Sequence, residues 1–260
     1  MNRLNDLKAT IPFTTSGNGS RAIIFVHGFM DASAVWNDVV ALIAEKDLQK
    51  VYLDLPGMGA LTAVDGEISL DRYAADVASV IEEIGKPFVI VGQSMGAQIA
   101  ELVTRLHPEL ARGLALLTPV PLGGVKAPAE VVAPLKQLGE HPEIEMAVRR
   151  QFSPGLTDDK LDLLCGLSVH VRPDVVAALV DAWNEGHPDG HSPSQFTRPA
   201  LIMRGMDDPF VTQEMVAGIV SRFSRVTEKD IAGGGHWSHV EHAEAVAQHL
   251  NQYLQKLDWE

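Results

Sequence analysis

Three things are scarce in this sequence of 260 residues: cysteine, basic charge and long apolar runs. The single cysteine, Cys165, excludes an intrachain disulfide. Acidic residues number 34 against 21 basic ones, and the resulting formal charge of −13 repels phosphate backbones and anionic membranes. No run of about eighteen apolar residues occurs, and residues 1–20 hold no apolar stretch of signal-peptide length. We therefore expect a cytoplasmic protein with no nucleic-acid or membrane partner.

The lone cysteine can be interpreted in two ways. Cys165 lies among Leu163, Leu164 and Leu167. Such an apolar setting favours a small buried hydrophobic residue over a reactive thiol. The remaining composition, 46% hydrophobic and 21% charged, is typical of a globular protein, and the length allows one large domain or a core that carries an insertion.

Short apolar runs that end in Gly or Pro recur along the chain. They are AIIFVHG (22–28), KVYLDLPG (50–57), FVIVGQS (88–94), GLALLTP (113–119) and ALIMRG (200–205), with VTEKDIAGG (226–234) as a weaker sixth. A continuous apolar run, unlike an alternating one, indicates a strand that is buried on both faces. These runs therefore predict a mostly parallel sheet covered by helices.

Helical patterns lie between the apolar runs. The stretch 70–84 follows Ser69, which can cap a helix, and precedes Gly85, where a helix should end. Similar apolar spacing occurs in 33–45, 95–107 and 241–257. Strand and helix thus alternate, which predicts an α/β fold with a central sheet flanked by helices.

The alternation stops between about 120 and 197. Prolines crowd the start of this segment, two or three helical stretches follow, and no run typical of a buried strand occurs. The sheet pattern resumes near residue 199. We therefore predict a core formed by residues 1–120 and 198–260, and a helical cap or lid formed by the insertion 121–197.

Ser94 stands between Gly92 and Gly96, where an apolar run gives way to a helical pattern. A strand that turns abruptly into a helix forces the corner residue into a positive-φ conformation. Glycines two residues before and after that corner avoid a collision across it. Such a corner lifts the serine Oγ out of the sheet and aims the first free N–H groups of the helix at the same space. Because G-x-S-x-G alone is a weak signal, its context must decide.

Five segments together resemble the α/β-hydrolase family over nearly the whole chain. They are HGF (27–29), LDLPGMGA (53–60), GQSMG (92–96), RGMDDPF (204–210) and GGGHWSHVE (233–241). In that order they are similar to the family's oxyanion loop, D-x-x-G-x-G segment, nucleophile elbow, acid loop and base loop. The resemblance implies the α/β-hydrolase fold and serine hydrolase chemistry that needs neither a cofactor nor a metal.

The resemblance also implies a catalytic triad of Ser94, Asp208 and His236. A neutral serine hydroxyl is a poor nucleophile, so an imidazole must take its proton and a carboxylate must orient that imidazole. The acid and the base each have a second candidate close by in the sequence. Asp207 directly precedes Asp208, and His239 lies three residues after His236. The family's G-x-x-D spacing favours Asp208, and the position directly after the glycine run favours His236.

Further roles are implied around the triad. The backbone N–H groups of Phe29 and Met95 correspond to the family's oxyanion donors. Met30, Trp237 and Phe210 stand where an apolar substrate pocket is expected, although core packing explains them nearly as well.

Two residues near the predicted oxyanion loop have supporting rather than catalytic interpretations. His27 resembles the family histidine that maintains the shape of this loop. The position of Asp31 just before the next helical stretch favours a role as the N-cap of that helix over a catalytic role.

Several functions share this machinery. The first is hydrolysis of carboxylic esters through an acyl-enzyme on Ser94, with a small-molecule ester or a related carbonyl compound as substrate. A second is carbon–carbon bond hydrolysis of vinylogous 1,5-diketones from aromatic-ring cleavage, because GHWSHVEHAE (235–244) resembles the corresponding stretch of those enzymes. The loop HGFMDAS (27–33) lacks their H-G-x-G-P-G form, however, and Gln93 stands where they commonly have Asn. Lactonase or perhydrolase activity would use the same triad, a non-enzymatic receptor could share the scaffold, and nothing in the sequence indicates an oligomeric state.

Overall fold

The apolar runs form one seven-stranded sheet in the computed structural model, which describes residues 11–260. The strands are β1 (Phe13–Ser16), β2 (Arg21–Val26), β3 (Leu48–Leu53), β4 (Phe88–Gln93), β5 (Ala111–Leu117), β6 (Ala200–Gly205) and β7 (Val226–Ile231). Their order across the sheet is β1-β3-β2-β4-β5-β6-β7, and every neighbouring pair except β1 with β3 is parallel. The predicted mostly parallel sheet is confirmed. Residues 1–10, which the sequence assigns to the core, lie outside the described residues.

The two edge strands account for the weak sequence signals. Strand β1 was not predicted, because it has only four residues and three of them are exposed. It pairs antiparallel with β3, with Phe13 opposite Leu53. Strand β7 lies at the other edge, pairs only with β6 and has four exposed residues among its six. An edge strand does not need the continuous apolar run of a central one.

Ten α-helices accompany the sheet within the described residues. They are α1 (Asn37–Leu42), α2 (Leu70–Ile84), α3 (Met95–Leu106), α4 (Ala129–Lys136), α5 (Pro142–Phe152), α6 (Asp158–Ser168), α7 (Pro173–Glu185), α8 (Gln213–Val220), α9 (Ser238–Glu241) and α10 (Ala243–Leu254). Helix α2 has the predicted bounds: Ser69 Oγ accepts a hydrogen bond from Arg72 N at 3.2 Å, and Gly85 ends the helix with φ 62°.

Helices cover both faces of the sheet. All six residues of β4 are buried, and successive side chains point to opposite faces. Phe88 and Ile90 belong to a core cluster that includes buried residues of α2 and α3. Val89 and Val91 belong to a second cluster, formed with residues of α1 and α10. The flanking layers predicted from the continuous apolar runs are therefore present.

The helix expected over 33–45 is shorter than predicted. A 3₁₀ helix covers Ser33–Trp36, and α1 ends at Leu42 because Ile43 is extended, with ψ 114°. The Lys50 ammonium donates to the carbonyls of Val40 at 2.9 Å and Ile43 at 2.8 Å. A side chain from β3 thus satisfies carbonyl groups at the point where the helix stops.

The segment 121–197 is helical and contains no strand in the structure. It holds the four helices α4 to α7, where the sequence predicted two or three helical stretches. Pro142 and Pro173 occupy first-turn positions of α5 and α7, which proline tolerates. Proline therefore starts two of these helices, and the sequence pattern undercounted them.

No single helix among residues 11–260 is long and apolar enough to cross a membrane, although α6 and the segment Pro173–His191 meet the length and composition criteria when joined across a bend of 103°.

Candidate active site

Ser94 forms the corner between β4 and α3. Its φ of 54° and ψ of −120° lie outside the regions that residues with a Cβ normally adopt. The backbone holds this corner at two points: Ser94 N donates to Leu117 O at 3.1 Å, and Val120 N donates to Ser94 O at 3.3 Å. The predicted positive-φ turn is therefore present, and the serine side chain is buried with 5% exposure.

The two flanking glycines are required for different reasons. A Cβ on Gly92 would lie 2.1 Å from Gly96 O, which is the expected collision across the corner. A Cβ on Gly96 would instead lie 2.5 Å from both Val26 O and His27 O. The second glycine thus lets α3 pass the end of β2. The predicted collision across the corner therefore explains Gly92 but not Gly96.

Ser94, His236 and Asp208 form a continuous hydrogen-bonded chain. Ser94 Oγ lies 2.9 Å from His236 Nε2, and His236 Nδ1 lies 2.8 Å from Asp208 Oδ2. Since a carboxylate can only accept, Nδ1 carries the proton and Nε2 is left to accept from the serine hydroxyl. This tautomer is the one that a general base beside a serine requires.

Asp208, rather than Asp207, faces the histidine. Asp208 Oδ1 accepts from Phe210 N at 2.8 Å and Val211 N at 3.1 Å, which leaves Oδ2 for His236. Burial alone raises the pKa of Asp208, but the neighbouring His236 and these hydrogen bonds outweigh it and hold that pKa below its ordinary value. Asp207 is exposed and is fixed by its backbone N–H, which donates to Gly234 O at 2.9 Å.

Two buried side chains hold the backbone of His236. Gln93 Nε2 and Thr118 Oγ1 donate to His236 O at 3.0 and 2.9 Å. Gln93, which the sequence distinguishes from the Asn common in carbon–carbon bond hydrolases, has a fully buried side chain that binds the backbone of the histidine. Thr118 was not predicted, because nothing in LLTP (116–119) distinguishes it from an ordinary strand end.

Hydrogen bonds also join the loop after β7 to the residues at the end of α5. His236 N donates to Phe152 O at 2.8 Å, and Trp237 N donates to Ser153 Oγ at 2.8 Å. Glu241 accepts from Gly235 N at 2.6 Å and from Ser153 Oγ at 3.0 Å. The histidine therefore sits in a loop whose shape depends on residues of the helical insertion.

His239 points away from the serine. Its ring is fully buried and packs against Trp36 at a tilt of 37°, with centroids 4.5 Å apart. Neither ring nitrogen finds a hydrogen-bond partner within residues 11–260. Burial lowers the pKa of His239 to about 3, so the ring is neutral at physiological pH. The structure thus brings His236, not His239, to Ser94.

The predicted oxyanion loop lies directly against the elbow. A Cβ on Gly28 would lie 2.3 Å from Gln93 Oε1 and 3.2 Å from both Gln93 O and Ser94 Cβ, so glycine suits this close approach. The Phe29 N–H has no acceptor within the described chain, and the Met95 N–H is the first of α3 and lacks a partner in its own helix. Both N–H groups can therefore serve an external oxygen.

His27 supports this loop, as expected. Its Nε2 accepts from Leu55 N at 3.0 Å, so Nδ1 carries the proton and donates to Gly28 O at 2.9 Å. Burial lowers the pKa of His27, despite the opposing effect of its bond to Gly28, and favours the neutral ring.

Asp31 is not an N-cap. The following 3₁₀ helix starts at Ser33 without any side-chain cap, so the prediction for Asp31 is wrong. Its carboxylate is 1% exposed and instead accepts from Arg149 Nη1 and from Trp237 Nε1, both at 2.9 Å. The partner Arg149 belongs to α5, 118 residues further along the chain, which no local pattern reveals.

A pocket of about 580 Å³, including its mouth, opens above Ser94. It is lined by Phe29, Met30, Ser94, Val120, Leu135, Leu138, Glu145, Val148, Arg149, Phe152, Trp183, Phe210, His236 and Trp237. The predicted pocket residues Met30, Trp237 and Phe210 are all among them. About half of the lining residues come from segment 121–197, the predicted cap. None of them was predicted individually, because the segment carries no recognisable motif.

Cys165 lies outside this pocket, half-buried on α6. Burial raises the pKa of its thiol, which disfavours the reactive thiolate. This agrees with the interpretation of Cys165 as a small hydrophobic residue.

Comparison with known proteins identifies the family. The model of the Alpha/beta hydrolase family matches residues 23–249. The chain belongs to this family. This α/β-hydrolase is 24% identical over 265 residues to a 2-hydroxy-6-oxononadienedioate/2-hydroxy-6-oxononatrienedioate hydrolase of Burkholderia vietnamiensis, a match that covers 95% of this chain and 91% of the relative.

Solved structures share the fold of this α/β-hydrolase. An esterase from Exiguobacterium antarcticum superposes with a TM-score of 0.84 at 17% identity, covering 94% of this chain and 95% of the other. The enol-lactonase from Burkholderia xenovorans LB400 superposes with a TM-score of 0.80 at 17% identity, covering 94% and 96%. Family membership and these relatives support a hydrolase that acts on a small molecule.

Proposed function

We propose that this α/β-hydrolase is a serine hydrolase that cleaves carboxylic esters through an acyl-enzyme on Ser94. The observation that carries the proposal is the hydrogen-bonded chain from Ser94 Oγ through His236 to Asp208, at 2.9 and 2.8 Å. Around it lie two unpaired N–H groups and an apolar pocket. These are the parts that acyl transfer requires.

In the proposed first half-reaction, Ser94 Oγ attacks the ester carbonyl while His236 Nε2 takes its proton. Asp208 keeps the proton of Nδ1 facing the carboxylate and stabilises the imidazolium that forms. The carbonyl oxygen becomes an oxyanion and accepts from the N–H groups of Phe29 and Met95. When the C–O bond breaks, His236 returns its proton to the leaving alkoxide, and the acyl group stays on Ser94.

In the second half-reaction, water replaces the alcohol. His236 takes a proton from the water, whose oxygen attacks the acyl carbon through a second oxyanion at the same two N–H groups. Collapse of this intermediate releases the carboxylic acid and returns the proton to Ser94 Oγ. Every proton in this cycle passes through His236, so the cycle requires no cofactor.

We further propose that segment 121–197 acts as a cap over the core formed by 1–120 and 198–260. The residues of this segment that line the pocket include Leu135, Leu138, Val148, Phe152 and Trp183. Substrate choice would then depend mainly on the cap, since the reacting groups all belong to the core.

A second candidate function is hydrolysis of a carbon–carbon bond with the same triad. It is favoured by the name of the Burkholderia vietnamiensis relative and by the stretch GHWSHVEHAE. Lactone hydrolysis is a third, supported by the enol-lactonase that shares the fold. Turnover of a panel of p-nitrophenyl esters, lactones and ring-cleavage diketones separates the three, because each class has its own chromogenic readout.

The ester proposal predicts that Ser94→Ala lowers kcat for p-nitrophenyl butyrate by a factor of about 10⁴ or more, because no other nucleophile stands beside His236. Initial rates of p-nitrophenolate release, with circular dichroism as the test of folding, measure this. Undiminished turnover by a folded Ser94→Ala protein would refute the nucleophile.

Ser221→Ala is the matched control, since Ser221 is exposed and is not one of the residues that line the pocket. Its turnover should equal that of the native protein. Labelling with a fluorophosphonate probe distinguishes an enzyme from a non-enzymatic receptor: the native chain and Ser221→Ala should react, and Ser94→Ala should not.

A further inference from the structure

A buried charged cluster forms one side of the pocket. Arg149 and Glu145 project from α5 into the wall, and Asp31 lies behind them in the predicted oxyanion loop. All three are nearly inaccessible, with exposures of 2%, 6% and 1%. Charged groups at such depth must be paired, and their pairing decides what charge a bound substrate meets.

The guanidinium of Arg149 is bound by three acceptors of the protein. Its Nε donates to Glu145 Oε1 at 2.7 Å, Nη1 to Asp31 Oδ1 at 2.9 Å, and Nη2 to Met30 O at 2.8 Å. Its face lies over the Trp237 ring, 4.9 Å from the centroid. Each nitrogen of the guanidinium thus donates to one protein acceptor, which uses three of its five N–H groups, and its charge is already paired with two carboxylates.

The cluster also carries an excess of negative charge. One guanidinium faces the two carboxylates of Asp31 and Glu145, so the formal sum is +1 − 2 = −1. The other lining groups are apolar or aromatic, apart from Ser94 and His236. A substrate carboxylate entering this pocket would lose its hydration, meet no unpaired cation and face a net negative charge.

We infer that the pocket accepts an uncharged apolar acyl group and rejects one that carries a carboxylate, with Glu145 as a specificity-determining residue. This inference rests on the proposed ester hydrolysis and names its substrate class. It separates this chain from its Burkholderia vietnamiensis relative, which is named for a dioate substrate. The ring of Phe210 contacts those of Phe152 and Trp183, and these three aromatic rings would surround the acyl chain.

The experiment compares three esters of nearly equal acyl length. They are p-nitrophenyl hexanoate, the mono-4-nitrophenyl ester of adipic acid, and methyl 4-nitrophenyl adipate. The first ends in a methyl group, the second in a carboxylate and the third in a neutral ester. We expect kcat/KM for the hexanoate to exceed that for the adipate monoester by about 100-fold or more, because the carboxylate is desolvated without a partner. The neutral methyl ester should behave like the hexanoate, which separates charge from size.

Glu145→Gln tests the role of the excess charge. Arg149 Nε and Ser168 Oγ both donate to Glu145 Oε1, so a glutamine can keep both bonds through its own oxygen while one negative charge is removed. The ratio of hexanoate to adipate-monoester kcat/KM should fall by about tenfold. Glu143→Gln, on the same helix but exposed, removes the same formal charge and should leave the ratio unchanged.

Each outcome bears on one proposal. Turnover of none of the three esters refutes ester hydrolysis itself. A native ratio below about threefold, with clear turnover of the hexanoate, overturns the inferred substrate class and leaves ester hydrolysis standing. A native ratio that is equally large in folded Glu145→Gln overturns the assignment of Glu145. Should Glu145→Gln fail to fold, the native ratio and the neutral diester still decide the substrate class.

Discussion

The adjacent residues Asp207 and Asp208 show how far single positions differ at this site. Both are aspartates in one short loop, yet only Asp208 is buried, and its two oxygens divide their work between the backbone and His236. Asp207 projects into solvent. The same substitution is therefore expected to have different effects at Asp207 and at Asp208.

Asp208→Asn should lower kcat for p-nitrophenyl esters by about 10⁴-fold. The asparagine oxygen would keep the N–H groups of Phe210 and Val211, so its NH₂ would face His236 Nδ1 and force that atom to become an acceptor. The ring proton then sits on His236 Nε2, and that nitrogen can no longer accept a proton from Ser94. Steady-state kinetics of the purified variant measure the loss.

Asp207→Asn, one residue away, serves as the control and should keep kcat within a factor of about two. If both variants lose activity equally, or if Asp207→Asn is the more damaged, the assignment of Asp208 as the orienting carboxylate is wrong.

At the residue scale, the sequence predicts what local motifs encode. Ser94, Asp208 and His236 each follow a strand within a recognisable segment, and the structure brings all three together. Arg149 and Thr118 could not be found in this way. Arg149 belongs to a segment without a motif, and its contact with Asp31 spans 118 residues. A long-range pair leaves no periodic signal in a single sequence, so Asp31 was misinterpreted as a cap.

At the scale of elements, α5 joins the insertion to the predicted oxyanion loop and to the loop that carries His236. Its Arg149 reaches the loop after β2 through Asp31 and Met30, while Phe152 at its end accepts from His236 N. Met30 has φ 56°, so the carbonyl that Arg149 holds belongs to a residue in an unfavourable conformation. The position of α5 and the shape of the predicted oxyanion loop are therefore coupled.

Arg149→Met should lower the free energy of unfolding by about 3–5 kcal/mol, because Asp31 would stay buried without its cation. Activity at a permissive temperature should fall as well, since the loop that carries Phe29 loses its anchor. Urea titration followed by circular dichroism gives the stability.

The neighbouring Arg150→Met removes the same charge from the same helix. Arg150 pairs with Asp158 at 2.6 Å, but its side chain is 45% exposed, so the loss should be only about 0–1 kcal/mol. Equal losses in the two variants would contradict the coupling through Arg149.

A helix or strand can be predicted from the sequence when the residues that fix its bounds lie within it or next to it. Helix α2 has the predicted bounds because Ser69, Gly85 and the apolar spacing between them are all local signals. Strand β1 has no such signal, since FTTS exposes three of its four residues and is ordered by pairing with β3. The helix expected over 33–45 ends early because a lysine from β3 satisfies its last carbonyls, which no local pattern contains.

At the scale of the whole molecule, buried neutral histidines make stability depend on pH. His239 is fully buried, and burial lowers its pKa from 6.5 to about 3. Above pH 6.5 the folded and unfolded chains are both neutral at this ring, and its contribution to stability is fully present. As the pH falls below 6.5, the unfolded chain takes up a proton that the folded chain refuses, so stability is lost until the pH nears 3.

His239→Leu should remove this dependence. Between pH 6 and pH 4.5 the native protein should lose about 2 kcal/mol more free energy of unfolding than the variant. Leucine is similar in volume and leaves no ring nitrogen without a partner. Urea titrations of both proteins at the two pH values measure the difference.

His170→Leu provides the reference, because the His170 side chain is exposed to water in the folded chain as well as in the unfolded one. Its loss of stability between the two pH values should match that of the native protein. A His239→Leu protein that loses as much as the native one would show that this ring is protonated in the folded state.

At the corner formed by Ser94, the residue that best suits the backbone conformation differs from the residue that the proposed reaction needs. A side chain held at φ 54° and ψ −120° costs about 1–3 kcal/mol, a cost that glycine avoids because it has no Cβ. On conformational grounds the preferred residue at position 94 is therefore glycine, which has no nucleophile. Selection for a stable chain alone would drift away from serine here, so a serine retained at this corner is what the proposed role as nucleophile predicts.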